Sequence, residues 1–194
     1  MLRSDNPIRA FLACSPSVEV RSQIASLQEI CKRQIPAGVV SWVKPEGIHL
    51  TLKFLGNIFP AQKEVIQSLM PKVIETIPAF YLSVEGIGAF PSLSRPKVIW
   101  TGLKGETETM LNLQMCVDKA LATIGFAEED RPFQGHLTLG RIKKTQSTKE
   151  MEKWLSLHQS FQGGQFPVDH ISLFKSNLTP TGAIYTLLHT FSLG

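Results

Sequence analysis

The chain has 194 residues, 43% of them hydrophobic, and its twenty Lys and Arg against sixteen Asp and Glu leave a net charge of +4. A chain of this length suits one domain, or two small lobes sharing a core, and buries enough apolar surface to fold without cross-links. The composition excludes a disordered chain, and no apolar run reaches the ~18–20 residues that a membrane span requires.

Three widely spaced cysteines, Cys14, Cys31 and Cys116, contain no C-x-x-C pair. That speaks against a zinc ribbon, a redox couple and a secreted disulfide scaffold. The apolar run near the N-terminus is too short for a signal peptide. The expectation is a soluble, monomeric protein in the reducing cytoplasm, without metal or cofactor. The small positive surplus is compatible with an anionic ligand.

In chain order, "RAFLAC" (Arg9 to Cys14) reads as a strand. Val20, Ile24, Leu27 and Cys31 then fall on one face of an amphipathic helix that Pro36 and Gly38 end. "IHLTLKFLG" alternates as a strand and stops at Gly56-Asn57. "PAQKEVIQSLMPKVIETIP" is a helix opened by Pro60, with a kink or early end expected at Pro71. "FYLSVEGIGAF" and "KVIWTGL" are two strands joined by the turn-rich "PSLSRP". Leu113, Val117, Leu121 and Ile124 mark a further helix, stopped by Gly125. "GHLTLGR" is the next strand, followed by a short helix over "STKEMEKWLSLH" capped by Ser147 or Thr148. Two final strands, "VDHISLFKS" and "AIYTLLHTFSL", flank the turn "NLTPTG". The pattern is one unit of about half the chain, used twice, which predicts an α+β protein of two similar lobes packed as one body over 1–194.

The two halves share the tetrapeptide His-Leu-Thr-Leu, its histidines 136 − 49 = 87 positions apart. In a strand, residues i and i+2 share a face about 6–7 Å apart. His49 and Thr51 therefore point one way and Leu50 and Leu52 the other, and His136 and Thr138 repeat the arrangement. If a pseudo-twofold relates the lobes, two imidazole–hydroxyl pairs face each other across a cleft. Histidine titrates near neutrality, so one ring can accept a proton while the other gives one, and threonine hydroxyls can hold an anion. An in-line displacement at phosphorus needs such a base and acid on opposite sides. No H-E-x-x-H, G-x-S-x-G or P-loop signature competes with this reading.

These residues carry a resemblance. "RAFLAC", "VKPEGIHLTLKFLG", "AFPSLSRPKVIWTGL", "RPFQGHLTLGR" and "ISLFKSNLTPTGAIYTLL" together resemble the 2H phosphoesterase superfamily, and within it the RNA 2′,3′-cyclic phosphodiesterases, long called 2′-5′ RNA ligases. One departure is Gly135, where family members often carry proline before the second histidine. The resemblance implies a bilobal fold in which two antiparallel sheets form a V-shaped groove with helices outside. It also implies a substrate, an RNA end or a cyclic nucleotide, whose ribose 2′,3′-cyclic phosphate is opened to a 2′-phosphate without metal or cofactor. His136 would act as base on water and His49 as acid on the departing 3′ oxygen, or the reverse, with Thr51 and Thr138 holding phosphate oxygens. Arg141, on the opposite face of a regular strand, would be turned back to the phosphate by a bend at Gly140. Phe11 sits where an aromatic ring can stack on the terminal base. The same acid–base pair run backwards gives 2′-5′ ligation, and an RNA-end binding module without turnover is the remaining reading.

Overall fold

A computed structural model describes residues 6–143, 148–180 and 182–194, with backbone alone at 148–150. The elements in order are β1 (Ile8–Cys14), α1 (Val18–Gln34), β2 (Val40–Trp42), β3 (Leu50–Ile58), α2 (Pro60–Ile74), β4 (Phe80–Phe90), β5 (Val98–Gly105), α3 (Thr107–Ala122), β6 (His136–Ile142), α4 (Thr148–Leu157), β7 (Gln162–Val168), β8 (His170–Thr179) and β9 (Gly182–Ser192). They form two antiparallel sheets, ordered β3-β1-β8-β9 and β2-β6-β5-β4-β7.

The repeat is visible in these orders. Matching β1-α1-β3-α2 with β5-α3-β6-α4 places each His-Leu-Thr-Leu strand beside the first strand of its own repeat. The first helix of each repeat nevertheless crosses over. α1 packs beneath the five-stranded sheet at β7, whereas α3 packs beneath β3 of the four-stranded sheet. α2 and α4 stay with their own sheets, α2 against β9 and α4 against β4. The inward residues of both sheets and the apolar stripes of the helices merge into one core, in which Leu12, Ile24, Leu50, Leu113, Leu137 and Phe166 are fully buried.

Three local features differ from the sequence expectation. Of the kink or early end expected at Pro71, the early end does not occur there: α2 runs through Pro71 to Ile74. Proline removes one N–H bond and crowds the carbonyl four residues back, costs that are tolerated near the helix end on an exposed face. The segment "VDHISLFKS" is split at Asp169, with Val168 closing β7 and His170 opening β8. β7 itself was hidden because "QGGQ" has no strand-like side chains. The three-residue β2 was also unforeseen, being too short to show a period. Ser147, one of the expected caps of α4, lies outside the described residues.

The strands carrying the repeated motif are both bulged, and at the same residue. In β3, Ala13 pairs with Thr51 and Leu12 with Lys53, so Leu52 is the extra residue. In β6, Trp100 pairs with Thr138 and Ile99 with Gly140, so Leu139 is extra. A bulge reverses the alternation of side chains beyond it. Leu52 and Lys53 both turn toward the helices and are buried, as are Leu139 and Gly140. The next residues, Phe54 and Arg141, are exposed.

Each bulge is held by the helix that crossed over. Gln28 of α1, buried, donates from Nε2 to the carbonyls of Leu139 and Val43, each at 2.9 Å. Asp118 of α3 lies 2.6 Å from the ammonium of Lys53, which also donates to the Ala127 carbonyl and pairs with Glu129 at 3.3 Å.

Candidate active site

His49 immediately precedes β3 and His136 opens β6, where the two sheets approach each other. Both rings are fixed by the same device. The Nδ1 of His49 lies 2.8 Å from the Gly47 carbonyl, and that of His136 lies 2.7 Å from the Gln134 carbonyl, two residues upstream in each case. A carbonyl only accepts, so each Nδ1 carries a proton and each Nε2 is left with a lone pair or a second proton for chemistry.

Aromatic rings enclose both histidines. Phe11 stacks on His49 with centroids 4.6 Å apart, and Tyr185 meets the same imidazole edge-on at 5.0 Å. Phe90 meets His136 edge-on at 5.0 Å, with Trp100 6.2 Å away. The indole of Trp100 lies directly on Gly88, where a Cβ would collide with the ring, so position 88 admits no side chain while Trp100 stays in place.

This enclosure sets the electrostatics. Burial pushes the His49 imidazole down from 6.5 to about 4; its bond to Gly47 opposes the shift and the neighbouring His136 charge adds to it. His136 is also lowered, chiefly by burial, with Arg141 adding to the effect and the Gln134 bond opposing it. Both rings are thus neutral near pH 7 in the unliganded protein. Burial raises the Tyr185 phenol, while Arg141 and Arg9 pull it down, which places both guanidinium groups around this ring.

A cavity of about 190 Å³ gathers residues from both lobes, among them Arg9, His49, Thr51, Phe54, Thr138 and Arg141. His136 stands beside it, close enough for its charge to be felt at His49. Of the residues singled out in the sequence, His49, Thr51, Thr138 and Arg141 share this cavity with Phe11. Arg141 reaches it through the bulge at Leu139, one residue before the bend expected at Gly140. Phe11 does not take the place expected of it. Only 2% exposed, its ring packs against His49 on one side and Phe174, 5.4 Å away, on the other. No free face remains for a base, and the ring serves as backing for the imidazole.

Phe54 was missed by the sequence reading, as were Tyr185 and Arg9. Phe54 is 60% exposed and lines the cavity. The signal was present: Phe54 stands five residues after His49, as Arg141 stands five after His136. Without the bulge, that spacing points away from the site.

Among the described residues, no three His, Cys, Asp or Glu side chains converge as a metal site, and no helix is long and apolar enough to cross a membrane. One motif histidine and both motif threonines line a single cavity, with the second motif histidine close by, and this is the arrangement of a phosphoesterase of the two-histidine class. The chain belongs to the LigT-like phosphoesterase family, whose model matches residues 15–100 and 103–185. It is 31% identical to an RNA 2′,3′-cyclic phosphodiesterase of Methanothermobacter thermautotrophicus over 96% of this chain and 99% of that one. It is 33% identical to the protein of the same name from Aquifex aeolicus, over 96% and 98%. A crystal structure from Thermus thermophilus superposes with a TM-score of 0.78 at 27% identity, covering 96% of this chain and 98% of that one. Escherichia coli LigT complexed with 3′-AMP shares the fold, with a TM-score of 0.77 at 23% identity and the same coverage.

Proposed function

We propose that the protein hydrolyses RNA ends carrying a 2′,3′-cyclic phosphate to the 2′-phosphate, using His49 and His136 as an acid–base pair. The observation that carries this reading is the matched pair of imidazoles, each with Nδ1 committed to a carbonyl, one lining a cavity with Thr51, Thr138 and Arg141 and the other close enough for its charge to act on the first. The near-full-length relatives bearing that activity in their names support it.

In the proposed reaction His136, the less enclosed ring, takes a proton from water as its oxygen bonds to phosphorus. The bond from phosphorus to O3′ breaks, and the imidazolium of His49 gives its proton to the departing oxygen. Thr51 and Thr138 donate to the non-bridging oxygens, and Arg141 balances their charge. Each turnover leaves His136 protonated and His49 neutral, and exchange with solvent resets the pair. Since both rings are neutral in the free site, the bound phosphate anion supplies the field that keeps the acid protonated. Phe54, exposed at the cavity wall, is assigned to stack on the terminal base in place of Phe11.

The test is a short RNA ending in a 2′,3′-cyclic phosphate, incubated with the protein and excess chelator. The expected product has gained one water and resists a 3′-specific phosphatase. Binding without turnover would instead identify an RNA-end binding module.

A further inference from the structure

A second cavity of about 370 Å³ continues from the first. The two share Val43, Gly47, Arg141, Ala183 and Tyr185 as common wall, and the second extends outward along Ser41, Trp42, Lys44 and Ile184. It is the roomier of the two, although none of the proposed chemistry uses it.

Its lining is suited to a nucleotide. Trp42 and Tyr185 offer aromatic surface and Ile184, 56% exposed, offers apolar surface. Lys44 is exposed at its edge. Among the described residues neither Lys44 nor Arg141 is paired with a carboxylate, whereas Lys32 and Lys53 are. The one acidic wall residue is Glu46. Aromatic faces interleaved with unpaired cations are the means by which single-stranded nucleic acid is held without base readout.

The chemistry of the substrate gives this cavity its occupant. In a 2′,3′-cyclic phosphate both lower ribose oxygens are closed on phosphorus, so the chain can continue only through the 5′ oxygen. An RNA whose terminal ribose fills the smaller cavity must lead its penultimate nucleotide out of the cleft. We propose that the larger cavity binds that nucleotide, with Lys44 on the bridging phosphate and Trp42 and Tyr185 against the base. The larger cavity then contributes to binding only when a nucleotide precedes the one that bears the cyclic phosphate. This inference rests on the reading of the site as a cyclic phosphodiesterase.

The test compares kcat/KM for a nucleoside 2′,3′-cyclic monophosphate, a dinucleotide and a trinucleotide with the same terminal cyclic phosphate. The dinucleotide is expected to exceed the mononucleotide at least tenfold, mostly through KM, and the trinucleotide to add less than twofold. Raising salt should shrink the dinucleotide's advantage, since it includes one more phosphate contact. Lys44→Ala and Ile184→Glu, both at exposed positions, should abolish most of that advantage while leaving mononucleotide turnover within twofold. Equal kcat/KM for mono- and dinucleotide overturns the inference and leaves the reaction standing. So does an equal loss on both substrates in the two variants. No turnover of any of the three overturns the reaction itself, and the inference with it.

Discussion

Phe54 and Arg141 occupy the same position in the two repeats, five residues beyond His49 and His136, and the Leu52 and Leu139 bulges bring both to one cavity. The histidines and threonines on either side are alike, so this pair breaks the symmetry of the site. An apolar ring on one wall and a guanidinium on the other give the ligand a direction. A symmetric acid–base pair alone would not distinguish the 2′ from the 3′ oxygen as leaving group.

Phe54→Ala should therefore raise KM by about 5- to 150-fold, the equivalent of ~1–3 kcal/mol of stacking. It should also yield a mixture of 2′- and 3′-phosphate products. Product analysis by phosphatase sensitivity checks it; an unchanged KM and a pure 2′-phosphate would remove Phe54 from substrate orientation.

His49→Ala and His136→Ala should each lower kcat by about 10²–10⁴-fold, the usual worth of one general acid or base. Far-ultraviolet circular dichroism should stay that of the parent. Full activity in either variant would defeat the two-histidine mechanism.

The pH dependence follows from the direction of the histidine shifts. One ring must be neutral and the other protonated, and both titrate below 6.5 in the free protein, His49 at about 4. The kcat/KM profile should be a bell with its maximum on the acid side of 6.5, whereas kcat should peak at higher pH because the bound phosphate favours the imidazolium. A kcat/KM maximum above pH 7 would contradict the burial that lowers both groups.

Stability should respond to the same burial. His49 binds its proton less readily folded than unfolded, so its contribution is complete above pH 6.5 and is lost as pH falls toward 4. The loss should reach ~3 kcal/mol at most. His49→Gln should flatten this part of the curve in urea titrations between pH 4 and 7; an identical acid limb would show that other groups set it.

The bulge anchors are expected to matter more than their distance from the ligand implies. Lys53→Met leaves the Asp118 carboxylate facing the core without its cation and should cost about 3–5 kcal/mol. Gln28→Leu removes a donor from the Leu139 and Val43 carbonyls and should cost about 1–3 kcal/mol. It should also weaken phosphate binding, since Arg141 depends on that bulge for its aim. Equilibrium unfolding and KM measured on the same variant separate the two effects.

Much of this was legible in the sequence because the repeat repeats its chemistry. A histidine and a threonine on alternate positions of a half-buried strand, written twice, located the cleft face. The apolar stripes of α1 and α3 located the helices. The hidden part is where backbone departs from regular periods. A bulge leaves no mark in composition, so strand alternation alone puts Arg141 on the wrong face without a bend and hides Phe54 from the site. Phe11 was assigned to the ligand because its strand was known but not its neighbours: the flanking positions of Phe174 and His49 come from strands distant in sequence. β2 and β7 lack the side chains by which strands are recognised.

The crossing of α1 and α3 has a bearing on how such a chain arose. Each repeat lends its first helix to the other's sheet, so half the sequence, alone, would leave one sheet bare and one helix without a partner. Strands cross as well, with β2 and β4 of the first half in the five-stranded sheet and β8 and β9 of the second half in the four-stranded one, so two copies would complete each other by trading helices and strands, as a domain-swapped homodimer does. The present chain has the form of such a dimer with its subunits fused end to end. Fusion would let the two copies diverge, and Phe54 and Arg141 mark that divergence in the cavity: identical halves would build a cavity with like walls, and these build one with two different sides.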